Sequence, residues 1–374
     1  MGGGDVDLFI GYGGRTKMDK RVDSNLLLDM SGMLNDIGFN LDDELGVANM
    51  AEYHYDDGAV YGFPTKYENS RWILINEDMF KEAGLDIPYD GWTYSEFLAD
   101  AEKLTHGEDQ DKVYGVCWAR KQSGKSILYA LDGVLGANQI YKNEEGTEVN
   151  FDNDVYRAGL NLVKETLDKG YAIPIEDEFS EDISVANTFL QGKCAIMLGV
   201  AQMRLCMDQE NYPHDFMTAL VPAPVPDDEK YNTEFYRKQI GTTGAGDLLS
   251  ISANTKYPEA SFEFAMWYLK GGMSPLVQGG RIPLWNGVNK DEVLSVLKEK
   301  AQGSIDMDSM ENYLSLDTTQ GVAAIKGHAS SEISSAWFEE FDAMCYGKQS
   351  VDQTVQNMEK RGNELIQTEL SSQK

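Results

Sequence analysis

The chain has 374 residues, enough for two or three domains with substantial cores. Acidic residues outnumber Lys and Arg by 62 to 32, which gives a net charge of −30 and a pI near 4.4. This balance excludes a basic nucleic-acid-binding face and a polybasic membrane contact. Aromatic residues make up 10% of the chain, which indicates a folded protein rather than an acidic disordered one.

Cysteine and histidine positions show no metal-binding pattern. The histidines are scattered without an HExxH spacing, so neither a zinc site nor a cofactor is predicted. No run of 18 apolar residues is present, and "MGGGDVDLFIGYGG" at the start resembles neither a signal peptide nor a transit peptide. Apolar neighbours favour buried free thiols at all the cysteines: Cys117, Cys194, Cys206 and Cys345.

The first part of the chain predicts strands that open into glycine turns. "DVDLFIGYGG" (5–14) is typical of a buried strand followed by a loop. "DDGAVYGFP" (56–64) and "DQDKVYGVCW" (109–118) share an acidic turn, Val-Tyr-Gly and an apolar step, so each predicts a hairpin turn that leads into a strand.

Two helices with clear ends are predicted between these segments. Asn76 follows the apolar "WILI" run and can cap the first helix, which Gly84 ends. "TYSE" (93–96) is a capping box for the second helix, in which Phe97 and Ala101 share one face.

The alternation continues through the second half of the chain. A helix is predicted at 151–170, a strand at 193–199, a glycine loop and strand at 241–252, and a helix at 257–272. The tail from about Asp306 is mostly helical in pattern. Strands alternating with helices predict an α/β fold.

The sequence does not support the phosphate-binding and catalytic motifs that it superficially offers. "GTTGAGD" (241–247) precedes a strand, whereas a dinucleotide site needs a helix N-terminus. "QSGKS" (122–126) lacks the upstream glycine of a phosphate loop, because Ala119 stands there. Carboxylates are too numerous for a glycosidase pair to be recognised or excluded by inspection.

The ordered set of segments resembles a known family. "DGAVYGFP", "WILINEDMFKEAGLDIP", "WTYSEFLADAEKLT", "FLQGKCAIMLG", "PAPVP", "LLSISANTKYPEASFEFAMWYL" and "GRIPLWNGV" follow one another over residues 5–370. Together they resemble the extracellular solute-binding proteins of bacterial ABC importers, in the carbohydrate-binding group that includes the maltodextrin-binding protein.

The resemblance implies a two-lobe, periplasmic-binding-protein-like α/β fold with three hinge crossings, expected near 112–117, 244–249 and 317–322. The N-terminal lobe would comprise 1–114 and 248–319, and the C-terminal lobe 115–247 and 320–374. Members normally have a further N-terminal segment with a signal peptide, a lipidated Cys, a first strand and a first helix. This sequence starts at the expected second strand, so the first lobe is expected to be truncated.

The function implied is capture of a sugar or oligosaccharide between the lobes by hinge closure, with delivery to the permease transmembrane subunits. A monomer without enzymatic activity is expected, located outside the cell: lipid-anchored on the cell surface in its full-length form, or periplasmic. The alternatives are an acidic sugar (a uronate or sulfated one) as ligand, or a sensor role for the same fold. A glycosidase is disfavoured because no compact acid/base or nucleophile motif is found.

Sugars are bound by stacking on aromatic faces and by planar polar groups that bridge hydroxyls. Glu68 and Asn69, in the loop before the "WILI" strand, match hydrogen-bonding positions of the family. Tyr12 and Arg15 lie in the loop after the first strand, where open α/β sheets carry ligand sites, although a plain surface loop is the alternative. Trp72 offers a stacking ring or a core residue.

The remaining candidates lie after residue 117 and are spread along the rest of the chain. Trp118 and Arg120 directly follow the first predicted crossing. Trp337 matches the family's stacking tryptophan on a helix, although a position in the hydrophobic core is the alternative. The other candidates follow a strand, lie in the glycine loop, or follow "RIP": Gln202, Asp247 and Trp285.

Basic residues recur in the segments expected to meet the ligand. They either neutralise the acidic surroundings or grip a ligand carboxylate or sulfate, with Arg15 and Arg120 approaching from opposite lobes. These residues are Arg15, Lys17, Arg71, Arg120, Lys121, Lys125, Arg204 and Arg281.

Overall fold

The computed structural model describes residues 6–12, 14–50, 53–67, 72–118, 140–180, 185–198, 203–238, 247–272, 274–316 and 327–372. The strands are β1 (Leu8–Gly11), β2 (Phe63–Pro64), β3 (Lys66–Tyr67), β4 (Trp72–Asn76), β5 (Tyr114–Cys117), β6 (Cys194–Leu198), β7 (Thr218–Pro222), β8 (Leu248–Ile251) and β9 (Ile282–Pro283).

The helices are α1 (Gly14–Asp23), α2 (Ser31–Asp36), α3 (Leu41–Leu45), α4 (Val47–Met50), α5 (Glu77–Glu82), α6 (Tyr94–Leu104), α7 (Asp154–Asp168), α8 (Ile175–Ser180), α9 (Val185–Leu190), α10 (Met203–Cys206), α11 (Glu234–Lys238), α12 (Pro258–Trp267), α13 (Ser274–Val277), α14 (Lys290–Ala301), α15 (Met307–Ser315), α16 (Ser330–Cys345) and α17 (Val351–Ser372). A 3-10 turn spans Asp109–Asp111, and a π-helical turn, Tyr268–Gly272, continues α12. None of the helices described is long and apolar enough to cross a membrane.

The chain divides into two compact units. Unit 1 comprises Met1–Asn69, Thr242–Glu299 and Asp317–Ala324. Unit 2 comprises Ser70–Gly241, Lys300–Leu316 and Ile325–Lys374.

These units divide the chain differently from the predicted lobes. The N-terminal lobe was predicted to include residues 70–114, whereas the structure packs them in unit 2, because β4 pairs with both β6 and β7. The crossing predicted at 112–117 therefore falls inside unit 2, on β5. Residues 244–246 and 317–322 lie outside the described residues. Which segments act as hinges stays a prediction.

Unit 1 is built on a three-stranded antiparallel sheet in the order β1-β8-β2. A second pair, β3 and β9, continues from the end of β2. Helix α12 packs Phe262, Ala265 and Met266 into the core, as the predicted apolar face requires. Asn40 caps α3 by accepting from the backbone N–H groups of Asp42 and Asp43.

Unit 2 contains a four-stranded sheet in the order β5-β6-β4-β7. All five residues of β4 are buried, as the apolar "WILI" run predicts. The predicted helix ends are confirmed: Asn76 caps α5, and Thr93 and Glu96 form the capping box of α6. Gly84 has φ +67° just beyond α5, a left-handed conformation that favours glycine.

The prediction of free thiols is wrong for two of the cysteines. Strands β5 and β6 are parallel neighbours, and this pairing brings Cys117 and Cys194 to a Cα–Cα distance of 6.3 Å, where they form a disulfide. Cys206 is a buried thiol, and burial raises its pKa to about 12, so it stays protonated at neutral pH.

We predict that Asp100 destabilises unit 2 at neutral pH. Burial of its carboxyl on α6 raises its pKa to about 6; the Lys103 charge lowers it, and Glu96 and Asp86 raise it further. Because the pKa of Asp100 is higher in the folded state than in the unfolded state, the folded state binds the proton more tightly. The protein therefore becomes more stable as the pH falls from above 6 to about 4. Asp100→Asn should therefore increase the unfolding free energy by ~1 kcal/mol at pH 7.5, a value discounted because the carboxyl is only half-buried.

The gain from Asp100→Asn should disappear at pH 4, where the wild-type carboxyl is already protonated, as measured by urea unfolding at both pH values. Glu82→Gln, which removes an exposed carboxylate on α5, serves as the control. An Asp100→Asn gain that is equal at pH 4 and pH 7.5 would contradict the assignment.

Candidate functional site

The register of the unit 1 sheet brings three chain segments to one end. Gly11 of β1 and Pro64 of β2 both pair with Leu248 of β8. Tyr12 and Thr65, the next residues on the outer strands, therefore lie on either side of Asp247. Two predicted site residues, Tyr12 and Asp247, are brought together in this way.

An ion pair fixes this end of the sheet. The Lys66 ammonium lies 2.7 Å from the Asp247 carboxylate, with side chains 13% and 21% exposed. Lys66 is held in turn by β3, which pairs with β9, and by the Leu284 N–H that donates to the carbonyl of Thr65. The partly buried pair keeps a carboxylate acceptor and an ammonium donor side by side at a fixed position.

Tyr12 lies beside this pair, and the C-terminal end of α12 reaches the same end of the sheet because α12 follows β8 and packs against it. Tyr12 is 67% exposed. Burial raises the pKa of Tyr268, at the end of α12; the positive charge of Arg281 lowers that pKa and Tyr12 adds to the rise. We call Tyr12, Lys66, Asp247, Tyr268 and Arg281 the polar end of the sheet. Such a group can stack on an apolar ring face and exchange hydrogen bonds with hydroxyl groups.

Arg15 lies near the start of α1 in a different environment. Its guanidinium donates to Asp19 Oδ1 at 2.6 Å and to the His54 carbonyl at 2.8 Å, and it lies 3.7 Å from the centre of the Tyr55 ring. The side chain is buried and ties α1 to the loop that follows α4. A direct ligand contact by Arg15 stays a prediction, and an acidic ligand gains no support from a guanidinium held in this way.

Trp285 also makes a contact within unit 1. Its indole N–H donates to Glu44 Oε2 at 2.7 Å, while the side-chain amide of Asn286 donates to the carbonyl of Asp43. These bonds attach the segment after β9 to α3. The predicted ligand contact of Trp285 remains a prediction.

The tryptophans predicted in unit 2 belong to its hydrophobic core. Trp118 donates its indole N–H to Thr166 Oγ1 at 2.7 Å, and Trp337 is 2% exposed and stacks on Phe341 with ring centres 4.8 Å apart. Trp72 is buried as well, edge-on to Tyr313. A ligand contact by Trp118 or Trp337 stays a prediction and needs a change in side-chain conformation.

Four predicted site residues lie outside the described residues: Glu68, Asn69, Arg120 and Gln202. Sequence analysis did not predict Lys66 or Tyr268 as site residues, and it named Arg281 only as one of several basic residues. Their positions follow from strand register and from the end of α12. In sequence, the available signal was the placement of Lys66 two residues beyond the Pro that ends β2.

A separate groove of about 430 Å³ lies elsewhere in unit 1, between α2, α3 and the loop with His54. Its rim includes His54 and Asp42, whose side chains are 2.8 Å apart. Among the predicted site residues that the structure describes, none lines this groove. In the part of the chain that is described, no group of three or more His, Cys, Asp or Glu side chains could hold a metal ion.

The sequence profile of the bacterial extracellular solute-binding proteins matches residues 1–270. The chain belongs to this family. The resemblance noted from the ordered segments is thereby confirmed, and the family consists of substrate-binding proteins rather than enzymes.

Solved structures share the fold at low sequence identity. A sugar transporter protein from Rhizobium etli in an open conformation has a TM-score of 0.69 and 17% identity over 98% of this chain and 86% of that one. An ABC substrate-binding protein from Listeria monocytogenes in complex with cycloalternan has a TM-score of 0.69 and 17% identity, over 97% and 85%. A cyclic alpha-maltosyl-1,6-maltose binding protein from Arthrobacter globiformis gives 0.67 and 16%, over 97% and 85%. The predicted periplasmic-binding-protein-like α/β fold is confirmed.

We predict that Trp337 and Tyr12 respond differently to truncation. Trp337→Ala should lower the unfolding free energy by about 3–5 kcal/mol, because a large core ring is removed. Tyr12→Ala should change it by less than about 0.5 kcal/mol, because the ring is exposed. Guanidinium unfolding of both variants measures this, and a loss below about 1 kcal/mol for Trp337→Ala would show that its ring is not a core element.

Proposed function

We propose that the protein is the extracellular substrate-binding component of an ABC importer, which captures a sugar or oligosaccharide and delivers it to the membrane permease. The observation that carries the proposal is the polar end of the unit 1 sheet, where an exposed Tyr12 lies beside the Lys66–Asp247 pair. Family membership supports capture of a solute, and the neighbours named for sugars or oligosaccharides support a carbohydrate.

The chemistry of the polar end suits a polyhydroxylated ring. The face of Tyr12 offers an apolar surface to the C–H groups of a sugar. One hydroxyl can donate to the Asp247 carboxylate and a neighbouring hydroxyl can accept from the Lys66 ammonium, without either charge leaving its partner. Because the charges of Lys66 and Asp247 already neutralise one another, this pair carries no net charge that would favour a charged sugar over a neutral one.

Capture is proposed to proceed by closure of the two lobes around a hinge, without chemical conversion of the sugar. The protein is proposed to act as a monomer outside the cell, anchored by lipid on the cell surface or located in a periplasm, with the permease transmembrane subunits as its partner. A sensor role would use the same ligand site with a different partner.

We predict that a neutral sugar raises the melting temperature, because a ligand that binds only the folded state stabilises it by mass action. Tyr12→Ala should weaken binding by about 2- to 12-fold, because stacking on an aromatic face contributes about 0.5–1.5 kcal/mol. Calorimetric titration of a broad sugar panel, with product analysis of each mixture, measures binding and catalysis together.

Tyr12→Phe keeps the ring and should retain most of the affinity, so it serves as the matched control. Failure of every sugar to bind would contradict the proposed function. Release of a cleaved product would show an enzyme instead. Equal affinities for the wild type and Tyr12→Ala would remove Tyr12 from the site.

A further inference from the structure

Helix α12 presents aromatic rings on its outward face. Phe264 is 50% exposed and Trp267 is 57% exposed, while Phe262, Ala265 and Met266 fill the inward face. Rings of this size are normally buried, and clusters of exposed apolar side chains commonly mark a binding surface. Packing of unit 1 therefore does not account for the two outward rings.

The exposed rings continue from the polar end of the sheet. Phe264 lies 5.3 Å from Trp267 between ring centres, and it stacks on Tyr268 at 6.5 Å with the planes 25° apart. Helix α12 follows β8 after a short loop and packs against it, so its C-terminal end, with Tyr268, lies near the start of β8, where Asp247 stands. Tyr268, Phe264 and Trp267 thus form a set of neighbouring rings that begins near the polar end of the sheet.

Charge favours one occupant for this surface. Glu259 and Glu263 are exposed on the same helix, and the chain as a whole carries a charge of −30. The two carboxylates and the net negative charge repel an anionic membrane surface, which attracts basic segments. Carboxylates beside aromatic faces instead accept hydrogen bonds from hydroxyl groups, as a neutral sugar chain requires.

We propose that Phe264 and Trp267 form an accessory carbohydrate subsite, which binds the part of a neutral oligosaccharide that extends from the polar end along α12. This inference rests on the proposed function, and it adds that the natural ligand is a chain of several sugar units. A monosaccharide or disaccharide at the polar end leaves the accessory subsite empty.

The test compares short and long members of the same sugar series. Malto-, cello- and chito-oligosaccharides, each as the disaccharide and the hexasaccharide, are titrated by calorimetry into the wild type and into Phe264→Ser/Trp267→Ser. The hexasaccharide of one series should bind the wild type about tenfold more tightly than its disaccharide, because stacking on two further rings adds affinity. The double variant should lose this difference and keep its affinity for the disaccharide.

The control is Ile37→Ser/Val47→Ser, which removes two exposed apolar side chains elsewhere in unit 1, 54% and 58% exposed. It should keep the length dependence. A length dependence that persists in Phe264→Ser/Trp267→Ser, or hexasaccharides that bind no more tightly than disaccharides in every series, would overturn the subsite while leaving the proposed function intact. Absence of binding by every sugar would overturn both.

Sedimentation velocity distinguishes the competing occupant, a second copy of the chain. The wild type and the double variant should both sediment as monomers. A wild-type dimer that the double variant abolishes would assign the rings to a contact between copies and overturn the subsite.

Discussion

Strand β8 hydrogen-bonds to both β1 and β2, and the polar end of the unit 1 sheet depends on that double pairing. The chain leaves unit 1 after β3 and returns at residue 242, so β8 joins segments that are distant in sequence. The approach is close: a Cβ atom at Gly62 would come within 2.6 Å of Ser250 Oγ, so a larger residue here would force the Ser250 side chain to move. If β8 shifted by one residue, Asp247 would leave its place between Tyr12 and Thr65.

In unit 2, the burial of large side chains contributes more to the structure than the register of the strands does. Its four-stranded sheet is covered by large side chains, and the tryptophans on β4, after β5 and on α16 all contribute to packing. The disulfide between β5 and β6 adds a covalent link across the parallel pair.

Local signals in the sequence predicted local structure well. Asn76, the Thr93–Glu96 capping box and the apolar β4 run all appear where their chemistry places them, because each acts within a few residues. Pairing between strands that are distant in the chain could not be predicted from the sequence. The disulfide needed the parallel pairing of β5 with β6, and the membership of residues 70–114 in unit 2 needed the pairing of β4 with β6 and β7. The same holds for the site: Tyr12 and Asp247 were predicted from their loops, whereas Lys66 required the register. Trp118 and Trp337 show why tryptophan is ambiguous, since the ring that stacks on a sugar is also an effective core residue.

The central claim is that ligand meets the end of the sheet that β8 organises. Hydrogen–deuterium exchange with and without a bound sugar tests it most directly, because exchange reports local opening along the backbone. The account predicts that added sugar increases protection at residues 8–12, 63–67 and 247–251 more than at β4, β6 and β7. Protection confined to unit 2, with no change at those three segments, would contradict it.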